Sequence, residues 1–298
     1  MSPPAPERLG ATGVEILESL GQHRLLSTVQ VHDLHTPVAS MRWTRHLLGR
    51  LRRNGLAGSV AQPGGRLCWH VTEDGADALE AIPSRAETRR PRVTPGAAAG
   101  PLQEHSLAVN EVGVSFVRAA REREDDECGP FDWFHEIAHS LGPPPGRRVP
   151  EQLISDAVLT YQLGEGGAGA SVVYRFVELD RANRSAAELA RRIGRYARLF
   201  RREVERDSSG SKVALWESLY PVFPGLLVVL AGRPRGRLIE RRATVLALCQ
   251  ADPELAAAPE VEVSVCLLVD LVADGPFAAI CRTPAEPGSD VDWLGEQG

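Results

Sequence analysis

The stretch VASMRWTRHLLGRLRRNGL, residues 38–56, decides the fold of the N-terminal part of the chain. Its apolar residues recur at helical spacing, which predicts an amphipathic helix over residues 38–54 that stops at Gly55. The apolar stripe consists of Trp43, Leu47, Leu48 and Leu51. The helix has no acidic residue and carries five arginines: Arg42, Arg45, Arg50, Arg52 and Arg53. It therefore presents a strongly basic face.

The residues around this helix predict a small domain over residues 1–82, in the order helix, helix, helix, hairpin, helix. Residues 14–20 form an amphipathic helix, and a short helix runs from Ser27 to Pro37. Beyond the basic helix, residues 56–60 and 66–71 are strand-like and are joined by a turn that is rich in Pro and Gly. Thr72 then caps a last helix.

The steps Leu51-Arg-Arg-Asn-Gly-Leu56 and Val71-Thr-Glu-Asp-Gly75, in this order of elements, resemble winged-helix DNA-binding regulators. In helix-turn-helix proteins one helix lies in the major groove and the preceding helix crosses the backbone. Arginine suits both phosphate and guanine edges. The resemblance therefore implies that DNA is bound by arginines of the helix and of the wing. These are Arg42, Arg45, Arg50, Arg52 and Arg53 on the helix and Arg66 in the wing. A protein-interaction module whose arginine face is merely solvated is the alternative.

Residues 83–101 have few large apolar side chains and no periodicity, which predicts a linker. A second domain over residues 102–281 follows, and residues 282–298, rich in Pro, Gly and acids, predict a flexible tail. The 298 residues, 43% of them hydrophobic, suffice for two domains with a core each. The net charge of −5 is not the balance of a nucleic-acid-binding chain as a whole, so any such contact must be local.

The pattern of cysteines and the hydropathy argue against several classes of protein. The five cysteines are scattered without a CxxC pair, which argues against a disulfide framework and a structural zinc site and predicts small buried side chains. No apolar run approaches the roughly 18–20 residues that span a bilayer. The first residues are polar and rich in Pro, so no secretory signal is expected and the predicted location is the cytoplasm.

The second domain alternates between the helical and the strand period. The order helix, three strands, helix, strand, helix, strand predicts a mixed sheet flanked by helices, and therefore a mixed α/β class. Ser185-Ala-Ala-Glu188 is a capping box that opens the second of these helices. The predicted strands are residues 131–138, 153–163, 171–180, 226–230 and 261–271.

Three carboxylates stand at strand ends in this domain. Glu178 and Asp180 are two apart on one strand and share a face, and Asp156 approaches them if its strand is the neighbour. Converging carboxylates bind Mg²⁺, which activates water for phosphodiester hydrolysis. Asp156 and Glu178 are the candidate metal ligands. The alternative is that all three are solvated turn residues.

This pattern resembles the PD-(D/E)XK nuclease fold of restriction endonucleases. The resemblance implies that Asp156 and Glu178 correspond to the metal-binding acids and that Arg192 or Arg191 stands in for the basic residue. Asp180 occupies the position of the usual lysine, a departure from the pattern. Arginine stabilises charge but transfers protons poorly. The resemblance therefore leaves open an Mg²⁺-dependent nuclease or an inactive platform.

The whole arrangement resembles the replication-relaxation family of actinobacterial plasmids and integrative elements, over roughly residues 10–250. The match rests on the region 51–79, His105, Trp133 with Glu136, Ile154-Ser-Asp156, Val177-Glu-Leu-Asp-Arg181, Arg192 with Tyr196, and Pro224-Gly-Leu-Leu-Val-Val229. It implies a double-stranded DNA partner and a role in replication, relaxation or transfer of a mobile element. An Mg²⁺-dependent nickase and a protein-interaction adaptor are the alternatives.

Two further expectations concern contacts. Arginines line one long face of the helix that follows Ser185, and this face is either solvated or in contact with the DNA backbone. They are Arg191, Arg192, Arg195, Arg198, Arg201 and Arg202. Winged-helix proteins often dimerise to bind two half-sites, so a homodimer is expected.

Overall fold

The computed structural model describes residues 9–62, 65–81, 103–143, 146, 148–164, 169–205 and 211–296. The chain divides into two compact units. The first consists of Met1–Arg118 and Gly129–Phe134, and the second of Ala119–Cys128 and His135–Gly298. The linker expected over residues 83–101 lies outside the described residues.

The first unit starts with three helices, a hairpin and a fourth helix, in the order that the sequence predicts. The helices are α1 Ala11–His23, α2 Thr28–His35, α3 Met41–Arg53 and α4 Glu73–Glu80, and the strands are β1 Leu26–Ser27, β2 Ala57–Ala61 and β3 Leu67–Val71. Side-chain oxygens of Ser27, Ser40 and Thr72 cap α2, α3 and α4. Strands β2 and β3 pair antiparallel, and β1, which the sequence did not predict, extends the sheet along β3.

Gly75, in the first turn of α4, shows why the step after the hairpin requires a glycine. The Thr72 amide donates to the carbonyl oxygen of Leu56 at 3.0 Å, and the Thr72 hydroxyl donates to that of Gly55 at 2.5 Å. These bonds hold the start of α4 against the segment that follows α3. A Cβ at position 75 would lie 2.1 Å from the Leu56 oxygen, so a larger residue there would push α4 away.

The helix α5, Gln103–Glu122, contributes most of its length to the first unit. The Asn110 side-chain amide donates to the carbonyl oxygen of Leu25 at 2.7 Å, and that of Gln30 donates to the carbonyl oxygen of Leu107 at 2.8 Å. The sequence predicts this helix as the start of the second domain, whereas these bonds tie its first sixteen residues to the first unit. Contacts between residues so far apart in the chain leave no mark on helical periodicity.

The second unit is built on a five-stranded mixed sheet, and the predicted mixed α/β class is confirmed. In chain order the strands are β4 Trp133–Gly142, β5 Glu151–Gly164, β6 Ala170–Asp180, the short β7 Glu203–Glu205 and β8 Lys212–Ala214, then β9 Gly225–Leu230 and β10 Val263–Leu267. The main sheet has the order β10-β9-β6-β5-β4, and β7 pairs with β8 in a separate two-stranded sheet. Strands β5 and β6 are antiparallel, whereas β6, β9 and β10 are parallel.

Helices cover one face of this sheet because parallel neighbours need crossover connections. They are α6 Ala186–Phe200, α7 Arg235–Gln250 and the short α8 Pro253–Ala256. Phe176 on β6 packs in one cluster with Tyr196 on α6 and Val245 on α7. Since side chains alternate along a strand, Glu178 and Asp180 follow Phe176 on this helix-covered face. Both acids are buried.

Two predictions for the C-terminal residues are wrong. The strand expected over residues 261–271 ends at Leu267, and the chain continues as the helix α9, Leu268–Asp274. Residues 282–296 of the expected flexible tail instead pack within the second unit. Arg282 pairs with Val265 in an antiparallel bridge, and Trp293 is 1% exposed with its ring edge-on to Tyr161. One buried tryptophan anchors a segment whose composition predicts a loose end.

The five cysteines are buried free thiols, which confirms the prediction that they are small buried side chains. Burial raises the pKa of the Cys68 and Cys249 thiols to about 12, so these thiols stay protonated and unreactive at neutral pH. Within the described ranges, no helix combines the length and apolar character that crossing a membrane requires.

Candidate functional site

The outer face of α3 carries the arginines that the sequence singles out. Arg42, Arg45, Arg52 and Arg53 are exposed, and Arg50 is half-buried. The opposite face of α3 is buried through Leu47, Leu48 and Leu51, which fixes the direction of the arginines. The exposed face of this thirteen-residue helix thus carries several arginines and no acid.

The prediction for Trp43 on this helix is wrong. The helical spacing puts Trp43 in the buried stripe, yet its side chain is 47% exposed and Thr44 is buried. The Thr44 hydroxyl is hydrogen-bonded to Thr36 Oγ1 at 2.7 Å and to His32 Nδ1 at 2.9 Å, which satisfies its polar group inside the unit. Trp43 stacks on His46 with ring centroids 5.3 Å apart and planes 12° apart. An exposed aromatic pair therefore lies among the arginines.

The hairpin holds one of these arginines and adds another. Arg52 Nη1 donates to Ser59 Oγ on β2 at 3.4 Å, and its guanidinium lies 6.0 Å from the ring centre of Trp69 on β3. Arg66 is exposed next to the turn of the hairpin. We call the set formed by Arg42, Trp43, Arg45, His46, Arg52, Arg53 and Arg66 the α3 surface.

The second candidate site, the carboxylates of β5 and β6, is closed by α6. Glu178 is 3% exposed. One of its carboxylate oxygens accepts from Arg192 Nε at 2.5 Å, and the other accepts from the Tyr196 hydroxyl. Arg192 also donates to the carbonyl oxygen of Ile154 on β5. Both oxygens of Glu178 are therefore bound by side chains of α6.

Asp156 lies beside Glu178, whereas Asp180 is held elsewhere. Asp156 Oδ2 accepts the backbone N–H of Leu179 at 2.8 Å. Asp180 Oδ2 accepts from Arg241 Nε on α7 at 2.6 Å. The structure thus brings Asp156 and Glu178 together with Arg192, and it places Asp180 in a separate ion pair.

The nuclease resemblance implies Mg²⁺ at Asp156 and Glu178, so the fit of these residues to the ion is decisive. Mg²⁺ takes near-octahedral oxygen ligands at about 2.0–2.1 Å and keeps several waters. At Glu178 the guanidinium of Arg192 already stands where the cation would bind, and the carboxylate faces protein donors rather than solvent. Over the described part of the chain, no group of three or more His, Cys, Asp or Glu side chains is arranged to hold a metal. As arranged here, the residues do not fit Mg²⁺.

Burial and the nearby charge of Asp156 raise the pKa of Glu178 from 4.5 to about 7, although Arg192 and Tyr196 act in the opposite direction. A carboxyl group whose pKa is raised on folding binds its proton more tightly in the folded state. The stability that this gives is complete below about pH 4.5 and is lost as the pH rises through about 7.

Glu178→Gln removes this titration and retains a polar side chain of similar size. We expect the free energy of unfolding of the wild-type chain, relative to that of the variant, to fall on the order of 2 kcal/mol between about pH 5 and pH 8. Urea unfolding of both proteins at each pH measures the difference. A difference that is constant or grows with pH would contradict the raised pKa and indicate a carboxylate kept ionised by Arg192.

Comparison with protein families matches residues 17–215 to the family described as replication-relaxation. The match covers about two thirds of the chain and includes both the α3 surface and the cluster of Asp156, Glu178 and Arg192. Neither the curated proteins nor the solved structures compared with the chain give a significant match.

Proposed function

The chain belongs to the replication-relaxation family, and on this premise we propose that it is a DNA-binding protein of a plasmid or an integrative mobile element. Its role lies in the replication, relaxation or transfer of that element, or in the control of these processes. The family match supports the link to replication and relaxation. The α3 surface supports direct contact with double-stranded DNA.

The first unit supports a winged-helix mode of binding. Helices α2 and α3 follow one another as in a helix-turn-helix motif, and the β2–β3 hairpin follows where the wing stands. In that motif the N-terminal residues of the second helix contact base edges in the major groove. Arg42, Trp43 and Arg45 lie in the first turns of α3 and are exposed.

The observation that carries the proposal is the exposure of several guanidinium groups on one helix without an acid. Each guanidinium has five N–H donors in a planar fork that suits phosphate and guanine. The chain as a whole has a net charge of −5, so this surface is not the by-product of a generally basic composition. Local concentration of positive charge is the electrostatic mark of a DNA-binding surface.

We propose the second unit as a platform for DNA or for a second subunit, without nuclease chemistry. Glu178 is paired with Arg192 and Asp180 with Arg241, and both acids are buried. A nuclease or nickase needs carboxylates that are open to a metal ion and to substrate. The pairing therefore favours the platform over the enzyme. A homodimer that binds two half-sites stays a prediction.

A mobility-shift assay with duplexes that tile the DNA around the chain's own coding sequence tests the proposed function. We expect at least one duplex to be bound on the order of 10³-fold more tightly than unrelated DNA. Equal binding of all duplexes would indicate a sequence-independent DNA-binding protein. If no duplex is bound, the proposal is wrong, and a winged-helix adaptor that contacts protein is the remaining alternative.

Trp43→Ala should reduce the preference for the bound duplex over unrelated DNA by about tenfold, because apolar side chains contribute to base readout in the major groove through contacts such as that with the thymine methyl group. The substitution removes no charge, so the dependence of affinity on salt should not change. Leu219→Ala, which truncates an exposed apolar side chain of the second unit, is the matched control. An equal loss of affinity for both DNAs would contradict a role of Trp43 in selecting sequence.

A further inference from the structure

The first half of α6 forms a second basic site, within the second unit. Arg184, Glu188, Arg191, Arg192 and Arg195 line a surface depression of about 370 Å³. Glu188, Arg191, Arg192 and Arg195 share one face of the helix, because residues three and four apart lie side by side. The lining thus consists of four guanidinium groups and one carboxylate.

The one carboxylate that lines the depression is hydrogen-bonded in the N-terminal cap of α6. Glu188 accepts from the amide and the hydroxyl of Ser185, each at 2.8 Å, in the capping box of α6. These bonds, with the charges of Arg191 and Arg184, lower the pKa of Glu188. Glu188 therefore stays ionised. Because Arg192 is paired with Glu178 and Arg195 with Glu151, Arg184 and Arg191 are the exposed guanidinium groups of the depression.

Two of the arginines are fixed by contacts with residues of strands β5 and β6. Arg192 is fixed by Glu178 and by the carbonyl oxygen of Ile154. Arg195 Nη2 donates to the carbonyl oxygen of Gln152 at 2.6 Å and lies 3.0 Å from Glu151. These contacts use only part of the five donors of each guanidinium, and the fixed groups lose little freedom when they bind a ligand.

The next arginines along and just beyond α6 are also paired with acids. Arg198 binds Glu151 at 2.9 Å, and Arg201 binds Glu254. The long basic face expected from the sequence is therefore divided. Ion pairs with acids involve Arg192, Arg195, Arg198 and Arg201, whereas Arg191 and the neighbouring Arg184 are exposed.

We propose that this depression binds a phosphodiester group of the DNA backbone, an inference that rests on the proposed function of the chain. Guanidinium groups bind phosphate oxygens through pairs of parallel N–H bonds. The described residues that line the depression include no aromatic side chain on which a base could stack. The contact is thus with the backbone, and it adds affinity without sequence preference.

The test uses the full chain with Arg184→Ala and Arg191→Ala together, in salt-titrated binding to the duplex selected above. Loss of two phosphate contacts should reduce the slope of log affinity against log salt by about 1.8 and weaken binding about 30-fold near 0.15 M salt. The same loss should appear with an unrelated duplex. Arg198→Ala with Arg201→Ala, in and just after the last turn of the same helix, removes the same charge from paired positions and should leave the slope nearly unchanged.

The outcomes separate this inference from the proposed function. If the wild-type chain binds DNA and the two double variants lose equal slope, the effect is one of net charge and the site is wrong. If the Arg184 and Arg191 variant binds as the wild type does, the site is also wrong while DNA binding stands. If the wild-type chain does not bind DNA at all, the proposed function fails and this inference fails with it.

Discussion

Alanine at Arg42, Arg45 and Arg52 together is expected to weaken binding to duplex DNA on the order of 100-fold near 0.15 M salt. Each guanidinium that contacts a phosphate releases condensed counterions, and its loss lowers the salt slope by about 0.9. Three lost contacts should therefore lower the slope by about 2.7. The three side chains are exposed, so the fold should tolerate the change. Fluorescence anisotropy with a labelled duplex over a range of salt measures both quantities.

A triple variant of arginines that are paired with acids controls for net charge. Arg198, Arg201 and Arg282 are bound by Glu151, Glu254 and Asp290. Their replacement by alanine removes the same three charges and should change the salt slope much less. Equal loss in the two triple variants, or unchanged affinity in the first, would contradict α3 as the DNA-contacting helix.

Arg192→Ala is expected to lower the free energy of unfolding by about 3 kcal/mol, because it leaves the Glu178 carboxylate buried without its cation. The loss should be larger at pH 8 than at pH 5, since Glu178 is then ionised. Glu178→Gln in the same chain should recover much of it, because a neutral amide costs less to bury than a charge. Urea unfolding of the two single variants and the double variant measures the coupling.

Arg191→Ala is the matched control, since Arg191 precedes Arg192 on the same helix but is exposed. A change within about 0.5 kcal/mol is expected there. If Arg192→Ala leaves stability unchanged and Mg²⁺ then stabilises the variant, Glu178 is a metal ligand that Arg192 merely covers. That result would contradict a structural ion pair and favour an Mg²⁺-dependent nuclease over a platform as the function of the second unit.

The parts of the fold that depend on neighbouring residues could be predicted from the sequence. Leu47, Leu48 and Leu51 show the buried side of α3, and Gly55 marks its end. Ser185 and Glu188 show the start of α6, where both bonds of the capping box are present. The apolar run of β9 correctly predicts a buried strand, because a strand covered on both faces has no polar side.

The parts that depend on distant contacts could not be predicted. Trp43 fits the apolar stripe by spacing. Only the hydrogen bonds of Thr44 show that the helix is rotated about its axis so that Thr44 is buried and Trp43 is exposed. The place of α5 depends on bonds such as that from Asn110 to Leu25. The place of the C-terminal residues depends on the buried ring of Trp293.

The acidic residues illustrate the same division. Strand alternation correctly places Glu178 and Asp180 on one face of β6. It does not say which helices cover that face or which arginines those helices bring. The nuclease resemblance assigns Arg192 or Arg191 to the position of the basic residue, and the structure shows Arg192 bound to Glu178. The pairing of Asp180 with Arg241 has no signal in the sequence, because 61 residues separate them.

The most direct test of the central claim is a salt titration of the full chain on duplex DNA from its own genomic neighbourhood, with and without Mg²⁺, followed by a denaturing gel. The account predicts binding that falls linearly with log salt and strands that remain intact in both conditions. Absence of binding at moderate salt would contradict it. Strands cut in an Mg²⁺-dependent way that Asp156→Ala abolishes would show that the second unit is an enzyme and not a platform.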